Sequence, residues 1–255
     1  MAASSVDDRR EQLVQLVNSE GSVSFQQIKQ AFPDVSDMTL RTDLKALDAE
    51  RRIIRIHGGA RSVEFVIGTD DRLDSRNLRN VDAKMEIAKK AVSLIRPNST
   101  LFLDSGSTTT ALAHEMADER SLVFSNSITC ATELARLNNV DTIVVGGNLN
   151  RYSMSLNGSR AVDFIKSLNF DQLFLGVTSF HPHCGFSCGS DEEATLKRAC
   201  IKQAEQVIAL MDSSKIGRRS TFQFCDLSDI DVLVTDADLP ADIAQVCASA
   251  GVKVL

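Results

Sequence analysis

Apolar residues recur at helical spacing in three short segments near the start of the chain. Over 7–18, Leu13, Val14, Leu16 and Val17 form a stripe, Asp7 and Asp8 favour the positive end of a helix dipole, and Gly21 stops the run. Ser24 can cap a second helix over 25–32, with Phe25, Ile28 and Phe32 on one side, and Pro33 ends it. Ser36 can cap a third over 37–50. At about 100° per residue, Leu40, Leu44 and Leu47 fall within about 60° of one another and face inward. Met38, Arg41, Thr42 and Lys45 face the other way. Two β-like runs follow, 52–56 and 63–67, joined by His57-Gly58-Gly59-Ala60, whose paired glycines suit a tight hairpin. Three short helices and a hairpin, with a basic outer face on the third helix, describe a winged helix-turn-helix. A small helical dimerisation domain with a merely solvated basic face fits the same pattern.

Residues 68–82 are polar, lack an apolar period and read as a linker. Ile87, Ala88, Ala91, Val92 and Ile95 then mark a helix over 83–95, closed by Pro97. Beyond residue 100, short apolar runs at 101–103, 122–124, 142–145, 173–175, 207–211, 232–234 and 252–255 predict strands. Between most of them lie helical patterns at 108–116, 128–137, 160–168, 192–206 and 241–250. Strands this apolar are buried on both faces, and their alternation with helices predicts a doubly wound, mostly parallel, Rossmann-like α/β sheet. The expected organisation is a winged helix-turn-helix at 1–67, a linker at 68–82 and a larger α/β domain at 83–255.

The net charge of −6 argues against a nucleic-acid partner until its distribution is considered. Between Arg41 and Arg61, six basic residues (Arg41, Lys45, Arg51, Arg52, Arg55, Arg61) face three acids. Such a patch can meet phosphates within an acidic protein, because salt screens charges beyond about 8–10 Å. The candidate DNA contacts are therefore Ser36, Met38, Thr39, Arg41, Thr42, Lys45, Arg55, His57 and Arg61. No Trp and a single Tyr argue against a stacking platform for single strands. No apolar run approaches the ~20 residues of a membrane span, and the N-terminus lacks the apolar stretch of a signal peptide. A cytoplasmic protein with reduced cysteines is expected.

The most informative segment is Leu101-Phe-Leu-Asp104-Ser105-Gly106-Ser107-Thr108-Thr109-Thr110. A buried strand ends at Asp104, a loop of small hydroxylated residues follows, and a helix begins. Gly106 lets backbone approach a ligand, and the first-turn N–H groups with the dipole favour an anion such as a phosphate monoester. No Gly-Lys-Ser/Thr follows, so this is not a Walker loop. A well-capped helix with no ligand is the competing reading. Ser125-Asn126-Ser127, Gly146-Gly147, Gly176 and Asp212-Ser-Ser-Lys215 fall at other predicted strand ends, on the sheet edge where α/β proteins bind ligands. Lys215 suits a phosphate, and Asp104 and Asp212 can accept sugar hydroxyls. His181, His183, Cys184 and Cys188 are too cramped for an ordinary zinc site and read as a loop over the ligand site. Neither a metal nor a cofactor is expected.

Ser36-Asp-Met-Thr-Leu-Arg-Thr-Asp-Leu44 followed by Arg55-Ile-His-Gly-Gly-Ala60 resembles the N-terminal signature of the DeoR family of bacterial transcription regulators. Thr42 stands where that family usually has a second Arg, which removes one bidentate guanine contact. Glu50-Arg51-Arg52 replaces the usual turn Gly, and Pro33-Asp34 enlarges the turn before the third helix. Phe102–Thr109, Ser125–Ser127, Val145–Gly147, Phe174–Gly176, Glu193–Arg198 and Asp212–Lys215 resemble the family's C-terminal domain. The resemblance spans about residues 7–250. It implies a sensor with the fold of sugar-phosphate isomerases, a phosphorylated sugar or polyol as effector, a phosphate loop at Ser105–Thr109 with Lys215 nearby, and repression of a carbohydrate operon. The alternative is an active isomerase with a DNA-binding appendage, with Asp104, Glu193 or Asp212 as its base. A homodimer or homotetramer is expected, because helix-turn-helix proteins commonly read two half-sites.

Overall fold

The computed structural model describes residues 6–20, 22–50, 52–56, 58–62 and 73–255, and the chain divides into two units, 1–69 and 70–255. In the first unit, α1 (Val6–Glu20), β1 (Ser22–Ser24), α2 (Phe25–Ala31) and α3 (Asp37–Ala49) precede a hairpin of β2 (Ile53–Ile56) and β3 (Gly59–Ser62). Ser24 caps α2 through the Gln27 N–H while the Gln27 side chain accepts the Ser24 N–H, and Ser36 caps α3 through the Thr39 N–H. Leu40, Leu44 and Leu47 pack with Leu13, Val17 and Ile28, as their spacing predicts. Asp43 is buried on α3 and accepts from Arg9 Nε (2.7 Å) and Arg10 Nε (3.0 Å), which ties α3 to α1. The Lys29 ammonium donates to the carbonyls of Pro33 and Val35, closing the enlarged turn between α2 and α3.

The wing differs from its expected register. Its second strand already begins at Gly59, within the stretch expected as the turn, and Ile56 pairs with Gly59. The cause is β1, whose Val23 and Ser24 pair with Ala60 and Gly59 and make β3 the middle strand of three. A side chain at residue 59 would collide with the Val23 carbonyl, so only glycine joins the sheet there. His57 and 63–67 lie outside the described residues.

The second unit opens with α4 (Leu73–Asn77) and α5 (Val81–Val92). Residues 73–82 are therefore not linker. Leu73 is buried, and its N–H donates to the Tyr152 carbonyl (2.7 Å). A five-residue helix is too short to show a period in sequence. Strands and helices then alternate: β4 (Thr100–Leu103), α6 (Ser107–Glu115), β5 (Ser121–Ser125), α7 (Ile128–Leu134), β6 (Val140–Val144), β7 (Asn148–Asn150), β8 (Ser155–Asn157), α8 (Ser159–Lys166), β9 (Phe170–Gly176), β10 (Ser179–His181), β11 (Gly185–Cys188), α9 (Asp191–Gln203), β12 (Ala204–Leu210), β13 (Phe222–Cys225), β14 (Val232–Val234), α10 (Ala241–Ser249) and β15 (Lys253–Val254).

Seven strands form one parallel sheet in the order β15-β14-β12-β9-β4-β5-β6. Successive side chains point to opposite faces. Leu101 and Leu103 meet α5, α6 and α7, whereas Phe102 meets the core built from α8, α9 and α10. The winding runs outward from β4 through β5 and β6 on one side, and from β9 through β12, β14 and β15 on the other. The chain thus reverses direction of winding between β4 and β9, the place where such sheets leave a crevice beyond their carboxyl ends. Two small antiparallel sheets, β7-β8 and β10-β11-β13, lie outside this pattern and went unread among the polar loops.

Candidate functional site

The carboxyl ends of β4, β9 and β12 border an open crevice, with about 510 Å³ of empty space when the solvent at its mouth is included. Its lining is Ser105, Gly106, Ser107 and Thr108 after β4, Gly176, Val177 and Thr178 after β9, Asp212 and Lys215 after β12, and Arg76, Arg79, Asn80 and Lys84 from the opening segment. At the start of α6, Gly106 occupies the cap position with φ +153°, and no side chain caps the helix. The competing reading, a well-capped helix with no ligand, thus has no capping side chain to rest on. The Thr109 and Thr110 hydroxyls donate to the Gly106 carbonyl and fix the loop from below (2.9 and 2.7 Å). Thr109 itself is buried beneath the lining.

Under the crevice Asp104 and Glu193 meet a buried cation, Lys197, that sequence reasoning did not single out. Lys197, 1% exposed, donates to Asp104 Oδ2 and to the Gly176 carbonyl (2.9 Å), and pairs with Glu193 Oε1 (3.2 Å). The Gly176 N–H donates to the same Asp104 oxygen (3.1 Å). Burial alone would lower the Lys197 ammonium, but Asp104 and Glu193 more than offset it and hold the group protonated. Burial pushes the Asp104 carboxyl up, Lys197 opposes that shift, and Glu193 adds to it. Asp104 Oδ1 is buried with no partner. The Glu193–Lys197 spacing of four on one helix was the available signal.

The opening segment is held over the crevice by two side chains besides Leu73, those of Lys84 and Asn80. The buried Lys84 ammonium donates to the carbonyls of Arg76 and Arg79. Asn80, in a left-handed conformation (φ +50°), donates to Asp212 Oδ1 (3.0 Å) and Ser214 Oγ (3.1 Å). Asp212 also accepts the Ser214 N–H at the same oxygen, while Lys215 Nζ lies 3.8 Å from its other oxygen. Burial, then Lys215, lower the Lys84 ammonium to about 8, with Asp212 opposing and Arg76 and Arg79 adding to the shift.

The remaining candidates divide. Ser125, Asn126, Ser127, Gly146 and Gly147 do not line this crevice, because β5 and β6 lie on the far side of β4. Ser125 donates to the Leu103 carbonyl (2.7 Å), and Ser127 caps α7. Asn126 is buried, with neither side-chain atom partnered. Gly147 allows a close backbone approach, since a Cβ would sit 2.5 Å from the Asn157 carbonyl oxygen. His181 to Cys188 is not a loop over the crevice but the β10–β11 hairpin, in which His181 pairs with Gly185. Among the described residues no cluster of three metal-ligating side chains occurs.

In the first unit, Met38, Arg41, Thr42 and Lys45 are exposed on α3, as are Arg55 on β2 and Arg61 on β3. The Arg41 guanidinium lies 4.2 Å from the Phe25 ring centroid, which holds it at the helix surface. The Thr42 hydroxyl donates to the Met38 carbonyl (2.9 Å). Ser36 and Thr39 bond to each other and build the start of α3.

Residues 9–65 match the family described as the DeoR-like helix-turn-helix domain, and residues 79–237 match the DeoR C terminal sensor domain. The chain is 33% identical to a putative aga operon transcriptional repressor of Escherichia coli O157:H7, over 97% of this chain and 93% of that protein. It is 30% identical to the glycerol-3-phosphate regulon repressor of Escherichia coli K12, over 93% of this chain and 94% of that one. A ribose 5-phosphate isomerase A from Methanocaldococcus jannaschii aligns with 54% of this chain and 55% of its own, at a TM-score of 0.40 and 17% identity.

Proposed function

The chain belongs to the DeoR family of transcription regulators, and from that premise we propose that it represses a carbohydrate-metabolism operon and that a phosphorylated sugar or polyol in the β4–β9–β12 crevice alters its operator affinity. The crevice carries this reading. It joins an uncapped helix start to Lys215, Arg76 and Arg79 at the point where the sheet winding reverses. Neutral N–H donors, a favourable dipole and cations together suit a phosphate. The operons named for the two relatives, aga and glycerol-3-phosphate, point to the same class of metabolism.

On the DNA side, α3 enters the major groove, with Arg41 able to reach a guanine edge and Met38 a thymine methyl. Lys45, the wing arginines Arg55 and Arg61, and His57 meet phosphates. Two half-sites call for a homodimer or homotetramer. The protein works in the cytoplasm; among the described residues no helix is long and apolar enough to cross a membrane.

The chain is a regulator and not an isomerase. Asp104 and Glu193 share the buried Lys197 ammonium, and Asp212 is engaged by Asn80 and Ser214. These are the carboxylates that aldose–ketose chemistry would need as bases. The test is operator binding by the full chain with and without sugar phosphates and their dephosphorylated parents. A change in DNA affinity with the phosphorylated compounds alone is expected. An equal response to both, or none to either, overturns the proposal.

A further inference from the structure

We propose that Phe25 is a positioning residue for DNA reading: its ring holds the Arg41 guanidinium where it meets a guanine edge. The inference rests on α3 entering the major groove.

Base reading by α3 depends heavily on Arg41. It is the only arginine of that helix, and Thr42 beside it turns its hydroxyl back to the Met38 carbonyl. Arg41 is exposed. An exposed arginine left to itself samples many rotamers, and ordering it on binding costs affinity. Its guanidinium carbon lies 4.2 Å from the Phe25 ring centroid, well inside the range of about 6 Å over which the negative ring face attracts a cation. Such a contact uses none of the N–H donors in a hydrogen bond, so the fork that guanine O6 and N7 require stays available.

Phe25 is itself firmly held. Its half-buried ring packs against the core of the first unit. Its N–H donates to the Gly58 carbonyl (2.7 Å), beside the first residue of β3. It directly follows Ser24, which caps α2 reciprocally with Gln27 and pairs with Gly59 in the sheet. The ring is thus a fixed platform tied to both α2 and the wing, and the stack carries that placement across to α3. Core packing asks only for an apolar side chain at position 25; the cation is what uses a ring face.

Duplex DNA selected from a random library by the unaltered full chain supplies the probe, and fluorescence anisotropy at one salt concentration reads the affinities. Phe25→Met keeps apolar bulk and removes the ring; it should weaken binding about two- to five-fold, the worth of an exposed cation–π contact. Phe25→Tyr keeps the ring and should bind as the unaltered chain does. In an Arg41→Ala background Phe25→Met should change nothing, because a residue that acts through Arg41 has nothing left to position. An equal loss in both backgrounds would mean that Phe25 is merely structural or touches DNA itself, and overturns the inference. Unchanged or tighter binding by Phe25→Met does the same. A ring-fluorinated phenylalanine at position 25 keeps the shape and depletes the ring face of negative charge. It should reproduce the loss, so the test stands even if Phe25→Met fails to fold, and binding indifferent to fluorination refutes the stack. If Arg41→Ala weakens binding while the ring changes do not, this inference alone falls. If Arg41→Ala leaves affinity unaltered, base reading by Arg41 falls and takes the inference with it.

Discussion

Replacing Lys197 with methionine would leave Asp104 and Glu193 without the cation they share. Lys197 is 1% exposed, and its ammonium touches both carboxylates and the Gly176 carbonyl. Methionine fills similar space, so the change is electrostatic rather than a cavity. Removing one partner of a buried ion pair typically costs about 3–5 kcal/mol. For a unit the size of residues 70–255, each kcal/mol moves the melting temperature by about 2–4 °C. The midpoint of that unit should therefore fall by roughly 6–20 °C. Burial already raises the Asp104 carboxyl against the opposition of Lys197; without the lysine it rises further. A carboxyl raised in the folded state contributes stability below its unfolded value, about 3.9, and loses it as pH rises. The deficit of Lys197→Met should thus be smaller near pH 5 than at pH 7.5. Adding Asp104→Asn should recover part of it, because the orphaned charge is removed. Thermal melts of the full chain at both pH values decide the matter. A loss below about 1 kcal/mol, or one that ignores pH, would falsify the account of the buried group.

Two further outcomes follow from the sites. Arg41→Ala should cost about 1–3 kcal/mol in operator affinity, and Lys45→Ala should weaken all sequences alike and reduce the salt slope by about one; titrations at several salt concentrations read both, and unchanged affinity in the two variants removes α3 from the groove. Lys84, lowered to about 8 by burial and then Lys215, should regain its proton when an anion binds, so effector affinity is full below pH 8 and falls as pH rises through it. Binding enthalpies at pH 8 in buffers of different ionisation heat would reveal that proton uptake, and an affinity flat from pH 7 to 9 with no uptake contradicts it.

Much of the fold is legible in the chain because the strands of a doubly covered sheet are apolar throughout. All seven strands of the parallel sheet stand out as runs such as Leu101–Leu103 and Val232–Val234. Strand order is not written in those runs. It decides that Gly176 and Asp212 share a crevice with Gly106 while Ser125 and Gly147 do not. Arg76, Arg79 and Asn80 were hidden because a single buried leucine, Leu73, anchors a segment otherwise polar. The wing shifted for a similar reason: β3 is fixed by pairing with Val23, more than thirty residues away, and not by any local apolar run.

The attachment of Arg76, Arg79 and Asn80 to the larger unit bears on exchanging parts between relatives. A fusion joined at residue 82, where the polar stretch ends and the periodic helix begins, would transplant a sensor lacking one wall of its crevice. A fusion joined between Thr69 and Asp70 carries the wall along with the sheet. Hybrid regulators cut at the first position should keep whatever DNA sequence they were given and be deaf to the effector, while those cut at the second inherit the ligand preference of the donor. A sensor fragment trimmed to its visibly periodic sequence lacks the same wall and is a poor object on which to screen ligands.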